Sequence, residues 1–349
     1  MRILHIMAGR GLGGAETYST DIMLSLQARG IDQCAVYAED APRYAELVLA
    51  GVRTAPGVLA FPLRPLQKWR LRKVIEAEKP DLIHCWMRRA ASLMSAWNGG
   101  PVIGWFGGYY DPRNFKYCDE FVGVTADIVE HMRQKGVAKE RSHYVPTFPD
   151  IREEIPASRE ALQTPAEAPV FLALSRLHQK KGLDTFLHAA AQTPGAYLWL
   201  AGEGPLRSEL EALTKKLGLE DRVRFLGWRT DRGALLRAAD VCVLPSRYEP
   251  FGTVILEAWA AGTPLIAAAS AGPAGHVHHE QDGLLVPIDD AEALAQAMAR
   301  VIQDKPLREK MIASGRAAYQ AGFTREAVTD QMIALYEKLI ARHDSRAQA

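Results

Sequence analysis

The chain has 349 residues, 48% of them hydrophobic and 24% charged, the balance of a globular protein with ample core. A formal net charge of +1 speaks against a nucleic-acid binder. No apolar run reaches the roughly 18 residues of a membrane span, no signal-peptide cleavage pattern is visible, and Cys34, Cys85, Cys118 and Cys242 lack metal or redox spacing, so a cytoplasmic protein with reduced thiols is expected.

Along the first half, short apolar runs alternate with helical patterns, which predicts a parallel α/β sheet. The expected strands are Ile3–Met7, Cys34–Tyr37, Leu82–Cys85, Val102–Trp105, Phe121–Val124 and His143–Pro146. After the first comes Gly9-Arg10-Gly11-Leu12-Gly13-Gly14, which satisfies G-x-G-x-x-G. With Glu39 or Asp40 as a ribose acid, that loop keeps an NAD-dependent oxidoreductase open as an alternative. Further on, Arg64, Lys68, Arg70, Arg72 and Lys73, with Trp69 among them, fill ten residues without an acid. This stretch reads either as a solvated helix face or as a face for an anionic lipid surface or a phosphorylated glycolipid.

Thr147 to Pro169 holds Pro149, Pro156, Pro165 and Pro169 and is expected to link two domains, 1–148 and 149–325. The second half predicts strands Val170–Ser175, Tyr197–Ala201, Val223–Leu226, Val241–Leu244, Pro264–Ala267 and Leu284–Val286. Arg176 and Lys181 then stand between a strand end and a helix start, where a forked guanidinium and a mobile ammonium suit a diphosphate. Gly202 and Gly204 follow the next strand, and Trp228-Arg229-Thr230-Asp231 the one after.

Glu249-Pro250-Phe251-Gly252-Thr253-Val254 connects a buried strand to a helix expected over Val254 to Ala261, with Glu257 in its first turn. Open α/β sheets bind ligands beyond the carboxyl ends of their strands, and a helix N-terminus favours anions. Two carboxylates beside an anion site can accept hydrogen bonds from hydroxyls, so this segment points to a sugar nucleotide. His276, His278 and His279 lack a carboxylate partner at ligand spacing and are expected in a solvated loop. No metal site and no cofactor are expected.

From Glu249 to Glu257, with seven residues between the two carboxylates, the chain resembles the retaining glycosyltransferases of family 4. That resemblance implies a GT-B fold, two doubly wound parallel-sheet, Rossmann-like domains facing across a cleft, with a last helix at about 326–345 packing back on the first. The final residues, His343 to Ala349, read as frayed. It implies that Glu249 holds donor-sugar hydroxyls, Glu257 the ribose, Phe251, Gly252, Thr253 and Val254 the distal phosphate and sugar, and Arg176 and Lys181 the diphosphate. By the family spacing the lysine is Lys181 rather than Lys180. Gly202, Gly204 and Arg229 match loops near the nucleotide, and Gly13 and Gly14 match the first loop, beside the donor phosphates. Phe106 stands where the family often has a histidine, so His84, Gly108, Tyr109 and Asp111 become the acceptor-side candidates. The run Gly107-Gly108-Tyr109-Tyr110-Asp111 is similar to bacterial transferases that build lipopolysaccharide and other surface glycans. The implied partners are a nucleotide-sugar donor, UDP favoured, and a glycan or glycolipid acceptor; peripheral contact on the inner face of the cytoplasmic membrane is what the lipid reading of the basic stretch Arg64–Lys73 would add. A catalytically silent sugar-nucleotide or glycan-binding protein is the other alternative.

Overall fold

The computed structural model describes residues 1–348 except Leu12, Phe61, Arg152 and Glu153. The chain forms two compact units, Met1–Phe148 with Arg325–Ala349, and Pro149–Thr324. In the first, the chain runs β1 (Arg2–Met7), α1 (Gly14–Ala28), β2 (Asp32–Tyr37), α2 (Tyr44–Leu49), β3 (Arg53–Thr54), α3 (Arg64–Glu78), β4 (Leu82–Trp86), α4 (Met87–Ala91), β5 (Val102–Phe106), β6 (Glu120–Gly123), α5 (Ala126–Gln134) and β7 (Ser142–Tyr144). The sheet order is β3-β2-β1-β4-β5-β6-β7, and every pairing is parallel. A parallel sheet is covered on both faces, so its central strands carry continuous apolar runs rather than alternation. Accordingly, all of β4 and β5 is buried.

The second unit contains β8 (Val170–Leu174), α6 (Leu183–Ala191), β9 (Tyr197–Ala201), α7 (Arg207–Lys216), β10 (Val223–Gly227), α8 (Arg232–Ala238), β11 (Val241–Leu244), α9 (Thr253–Ala261), β12 (Leu265–Ala268), α10 (Ala271–His276), β13 (Leu284–Val286), α11 (Ala291–Gln303) and α12 (Lys305–Gly322). Its parallel sheet has the order β10-β9-β8-β11-β12-β13. Helix starts follow local chemistry. The Asp290 and Asp304 carboxylates accept from Ala293 N–H at 2.8 Å and Leu307 N–H at 2.9 Å, each satisfying an orphan first-turn donor.

Two expectations are corrected, and one element was not expected. The supposed linker is largely a structural part of the second unit. Arg159 donates to Ala238 O and to Asp240, Trp199 Nε1 donates to Thr164 Oγ1 at 2.9 Å, and Ala157 N–H donates to Ala234 O at 3.0 Å. Arg152 and Glu153, in the same stretch, lie outside the described residues. The expected fraying at His343 is replaced by helix: α13 spans Arg325–Gln348. Val328, Met332, Tyr336 and Leu339 bury one helical stripe, Arg342 pairs with Glu120, and no breaker follows. Finally, the two-residue strand β3 goes unforeseen, because Arg53–Thr54 carries no periodicity and is a strand only by pairing with Cys34–Ala35.

Candidate functional site

The second unit concentrates the expected donor-side residues at the carboxyl edge of its sheet. Strands β8 and β11 are neighbours, so the loops that leave them lie side by side. Tyr248 N–H donates to Lys180 O at 3.2 Å, and Arg247 Nη1 to Gln179 O at 2.8 Å. Arg247 also grips Asp184 through both terminal guanidinium nitrogens. Gly182, at φ +61°, has no room for a side chain, since a Cβ would lie 2.1 Å from Pro245 O. The β9 exit closes on the same place. A Cβ on Gly202 would meet Ser175 O at 2.0 Å, one on Gly204 would meet Leu177 O at 2.4 Å, and Leu177 N–H donates to Glu203 O. These two glycines therefore hold the Arg176 loop in place by close backbone packing.

Within this frame Lys181 Nζ donates to Glu249 Oε2 at 2.5 Å, and both side chains are largely buried, 20% and 15% exposed. Lys180 instead lies over the Tyr248 ring, 4.7 Å from its centroid. Arg176, on the same loop, is exposed, and its guanidinium has no protein partner among the described residues. Gly252, at φ +88°, turns the chain into the nine-residue helix α9. Helix geometry leaves the N–H groups of Thr253 and Val254 without intrahelical acceptors. Ile255 N–H, by contrast, already donates to Gly252 O at 2.8 Å. Anchoring from the far side comes from Gly272, whose N–H donates to Glu249 O at 2.7 Å.

Glu257 departs from expectation in two ways. It lies beyond the first turn of α9, which holds no acid, and it is almost wholly buried at 1% exposure. Burial raises its pKa, opposed by the cation Arg232. Arg232 Nη1 donates to Oε1, while Oε2 is buried with no partner among the described residues. A buried carboxylate oxygen without a donor is costly, so this atom is open to a ligand hydroxyl. Sequence reading missed Arg232 because it lies 25 residues away. The one available signal is a cation in the first turn of α8, where the helix dipole disfavours it.

Other expected residues fall into place or out of it. Arg229 is held by Asp231 through two hydrogen bonds, at 2.7 and 2.5 Å. His276 is no solvated loop residue. It ends α10, meets Phe251 edge-on at 4.7 Å and Phe323 at 5.9 Å, and burial lowers its pKa to about 4. Among the described residues no group of three or more His, Cys, Asp or Glu side chains converges as a metal site.

In the first unit, Gly13 caps α1 and Gly14 begins it. A Cβ at Gly9 or Gly13 would collide with the Glu16 carboxylate at 2.5 or 2.7 Å, so these glycines make room for Glu16. Gly14 faces open space. Leu12 lies outside the described residues. Both acids proposed for an NAD ribose have protein partners, Glu39 with Gly57 N–H at 2.7 Å and Asp40 with Arg10.

His84 is withdrawn as an acceptor-side candidate, because it is fully buried. It stacks on Trp86 at 4.1 Å and shares a 2.6 Å hydrogen bond with Tyr336 Oη, and burial holds its pKa well below the ordinary value. Phe106 is also core, stacked on Phe115 at 4.3 Å. Asp111 is committed to Arg113, whose backbone and guanidinium both donate to it and hold its pKa at about 2. Gly108 is buried, and its carbonyl accepts from Tyr110 N–H. Tyr109 hydrogen-bonds to Asp127.

Residues 154–318 match the family model for glycosyl transferases group 1, and residues 12–153 the model for Glycosyltransferase Family 4. The chain is 34% identical to the lipopolysaccharide core biosynthesis glycosyltransferase LpsD of Rhizobium meliloti, over 98% of this chain and 100% of that protein. It is equally 34% identical to LpsE of the same organism, over 96% and 98%. The crystal structure of Anabaena HepE in complex with UDP superposes with a TM-score of 0.84 at 23% identity, covering 97% of this chain and 100% of the other.

Proposed function

Because the chain belongs to the family 4 glycosyltransferases, with their GT-B fold, we propose that it moves a sugar from a UDP-sugar to a glycan or glycolipid acceptor with retention of anomeric configuration. The observation that carries this reading is the second unit's strand edge. There Arg176 and Glu257 Oε2, neither with a protein partner among the described residues, the Lys181–Glu249 pair and the N-terminus of α9 all lie at or beside neighbouring strand exits. Breaking the sugar–phosphate bond places negative charge on the departing diphosphate and positive character on the anomeric carbon. Arg176, Lys181 and the amides of Thr253 and Val254 stabilise the first of these. Glu249 accepts from donor-sugar hydroxyls and Glu257 from the ribose. The acceptor hydroxyl oxygen bonds to the anomeric carbon on the face the diphosphate leaves, and its proton passes to the departing phosphate oxygen. No protein base is needed, which accommodates the buried Phe106.

Cationic side chains and helix amides replace a divalent ion in this scheme. UDP release from UDP-glucose in excess EDTA should equal that in magnesium. Activity that EDTA abolishes refutes the metal-free scheme, and no release from any UDP-sugar leaves a silent binding protein.

The names of LpsD and LpsE support an acceptor of the lipopolysaccharide core. A contact with anionic membrane fits the same reading. No helix among the described residues is long and apolar enough to cross a membrane. On α3 and just before it, Trp69 is 57% exposed and Leu63 65% exposed. Arg64 follows Leu63 in the chain, and Arg72 and Lys73 stand three and four residues beyond Trp69 on the helix, although Glu76 pairs with both of the latter. An aromatic ring among cations suits the interface of an anionic bilayer. Vesicles rich in phosphatidylglycerol should co-float the protein where phosphatidylcholine vesicles do not. Equal recruitment by the two would remove the membrane contact.

A further inference from the structure

The first unit holds a polar cluster that the donor chemistry does not use, at the carboxyl ends of the neighbouring strands β5 and β6. The loop leaving β5 carries Tyr109. The turn leaving β6 places Thr125 as the cap of α5, its Oγ1 accepting from Ile128 N–H at 3.0 Å. That cap sets Asp127 in the first helical turn, with His131 four residues on and so on the same face. Tyr109 Oη donates to Asp127 Oδ2, and the Tyr109 ring meets His131 edge-on, centroids 5.3 Å apart. His131 Nε2 lies 3.1 Å from Tyr110 O. Two side chains of α5 thus fasten the loop, and Asp127 Oδ1 has no protein partner among the described residues. Asp127 is exposed, Tyr109 and His131 half-buried.

A carboxylate in a first helical turn is by itself only a favourable helix-dipole residue. This one is oriented by a phenol, keeps an acceptor oxygen open and stands beside an aromatic ring, the combination that takes a polyhydroxylated ring. We propose that Asp127, oriented by Tyr109 and flanked by His131, binds hydroxyl groups of a sugar ring in the acceptor. This deepens the glycosyltransferase reading and rests on it. Of the acceptor-side candidates named from sequence, His84 is buried in the core and Asp111 is saturated by Arg113. Asp127, by contrast, has one oxygen without a protein partner among the described residues.

The test is saturation-transfer difference NMR on the full chain with UDP bound, using the methyl α-glycosides of glucose, galactose and mannose as probes. At least one glycoside should receive saturation from the wild type. Asp127→Asn should weaken its binding about tenfold, as expected for losing one hydrogen bond to a charged acceptor. Tyr109→Phe, which keeps the ring against His131, should weaken the same glycoside, and Asp127→Glu should restore part of the signal. UDP affinity by calorimetry should be unchanged in all three variants. A merely structural role would lower the thermal midpoint and leave glycoside binding intact. Wild-type-like glycoside binding by Asp127→Asn, or no glycoside bound by the wild type, overturns the proposal. Failure of the wild type to bind UDP would instead strike the donor reading.

Discussion

Glu257→Ala should lower the affinity for UDP about 10- to 150-fold, the equivalent of about 1.5–3 kcal/mol for hydrogen bonds to a charged acceptor. The expectation comes from the two unequal carboxylate oxygens. Oε1 is already paired with Arg232, whereas Oε2 is buried without a partner among the described residues, so the ribose hydroxyls gain most from it. Folding should survive the substitution. The wild-type residue carries the desolvation cost of a buried carboxylate, and the Arg232 side chain it releases is 35% exposed and can turn to water. Calorimetry on Glu257→Ala and on the near-isosteric Glu257→Gln, alongside their thermal midpoints, separates lost binding from lost fold. Unchanged UDP affinity in both variants would rule out a ribose contact.

Lys181→Ala should cut UDP release from UDP-glucose about 10²- to 10³-fold, the usual loss for one group aimed at charge that develops in the transition state. Lys180→Ala, measured beside it, should change the rate about twofold at most, because an exposed lysine over an aromatic ring contributes only about 0.5–1 kcal/mol to local packing. Removing Lys181 also leaves Glu249 mostly buried without its cation. Breaking a fully buried pair costs about 3–5 kcal/mol, and at this partly exposed pair the loss should be smaller. Thermal unfolding of Lys181→Ala therefore has to accompany the turnover measurement. Equal rate losses for the two lysines would place the leaving-group cation elsewhere.

How much of this site was legible in the sequence follows from the range of each interaction. Apolar runs such as Val170–Leu174 and Val241–Leu244 are local, and burial of both sheet faces makes them continuous, so the strands and their exits could be read directly. Loop chemistry was legible for the same reason, which brought out Arg176, Lys181, Glu249 and Gly252. The spacing of Glu249 and Glu257 located the second carboxylate, but not its depth.

Depth and partnership came only from the tertiary structure. The packing of α8 and α9 brings Arg232 to Glu257, and no local pattern encodes a contact between two helices. His84 reads as a polar residue near a strand end, yet Trp86 and Tyr336 of the distant α13 enclose it, and a partner 252 residues away leaves no trace in its neighbourhood. Asp111 and Asp127 look alike as acidic residues near turns, and only their neighbours distinguish a saturated carboxylate from one with an open oxygen. The sequence by itself determined which segments become strands and which side chains stand at their ends, because those depend on burial and turn chemistry within a few residues. Sheet order and helix docking decided which of those side chains meet, which are sealed away and which stay open, because such contacts join residues the chain keeps far apart.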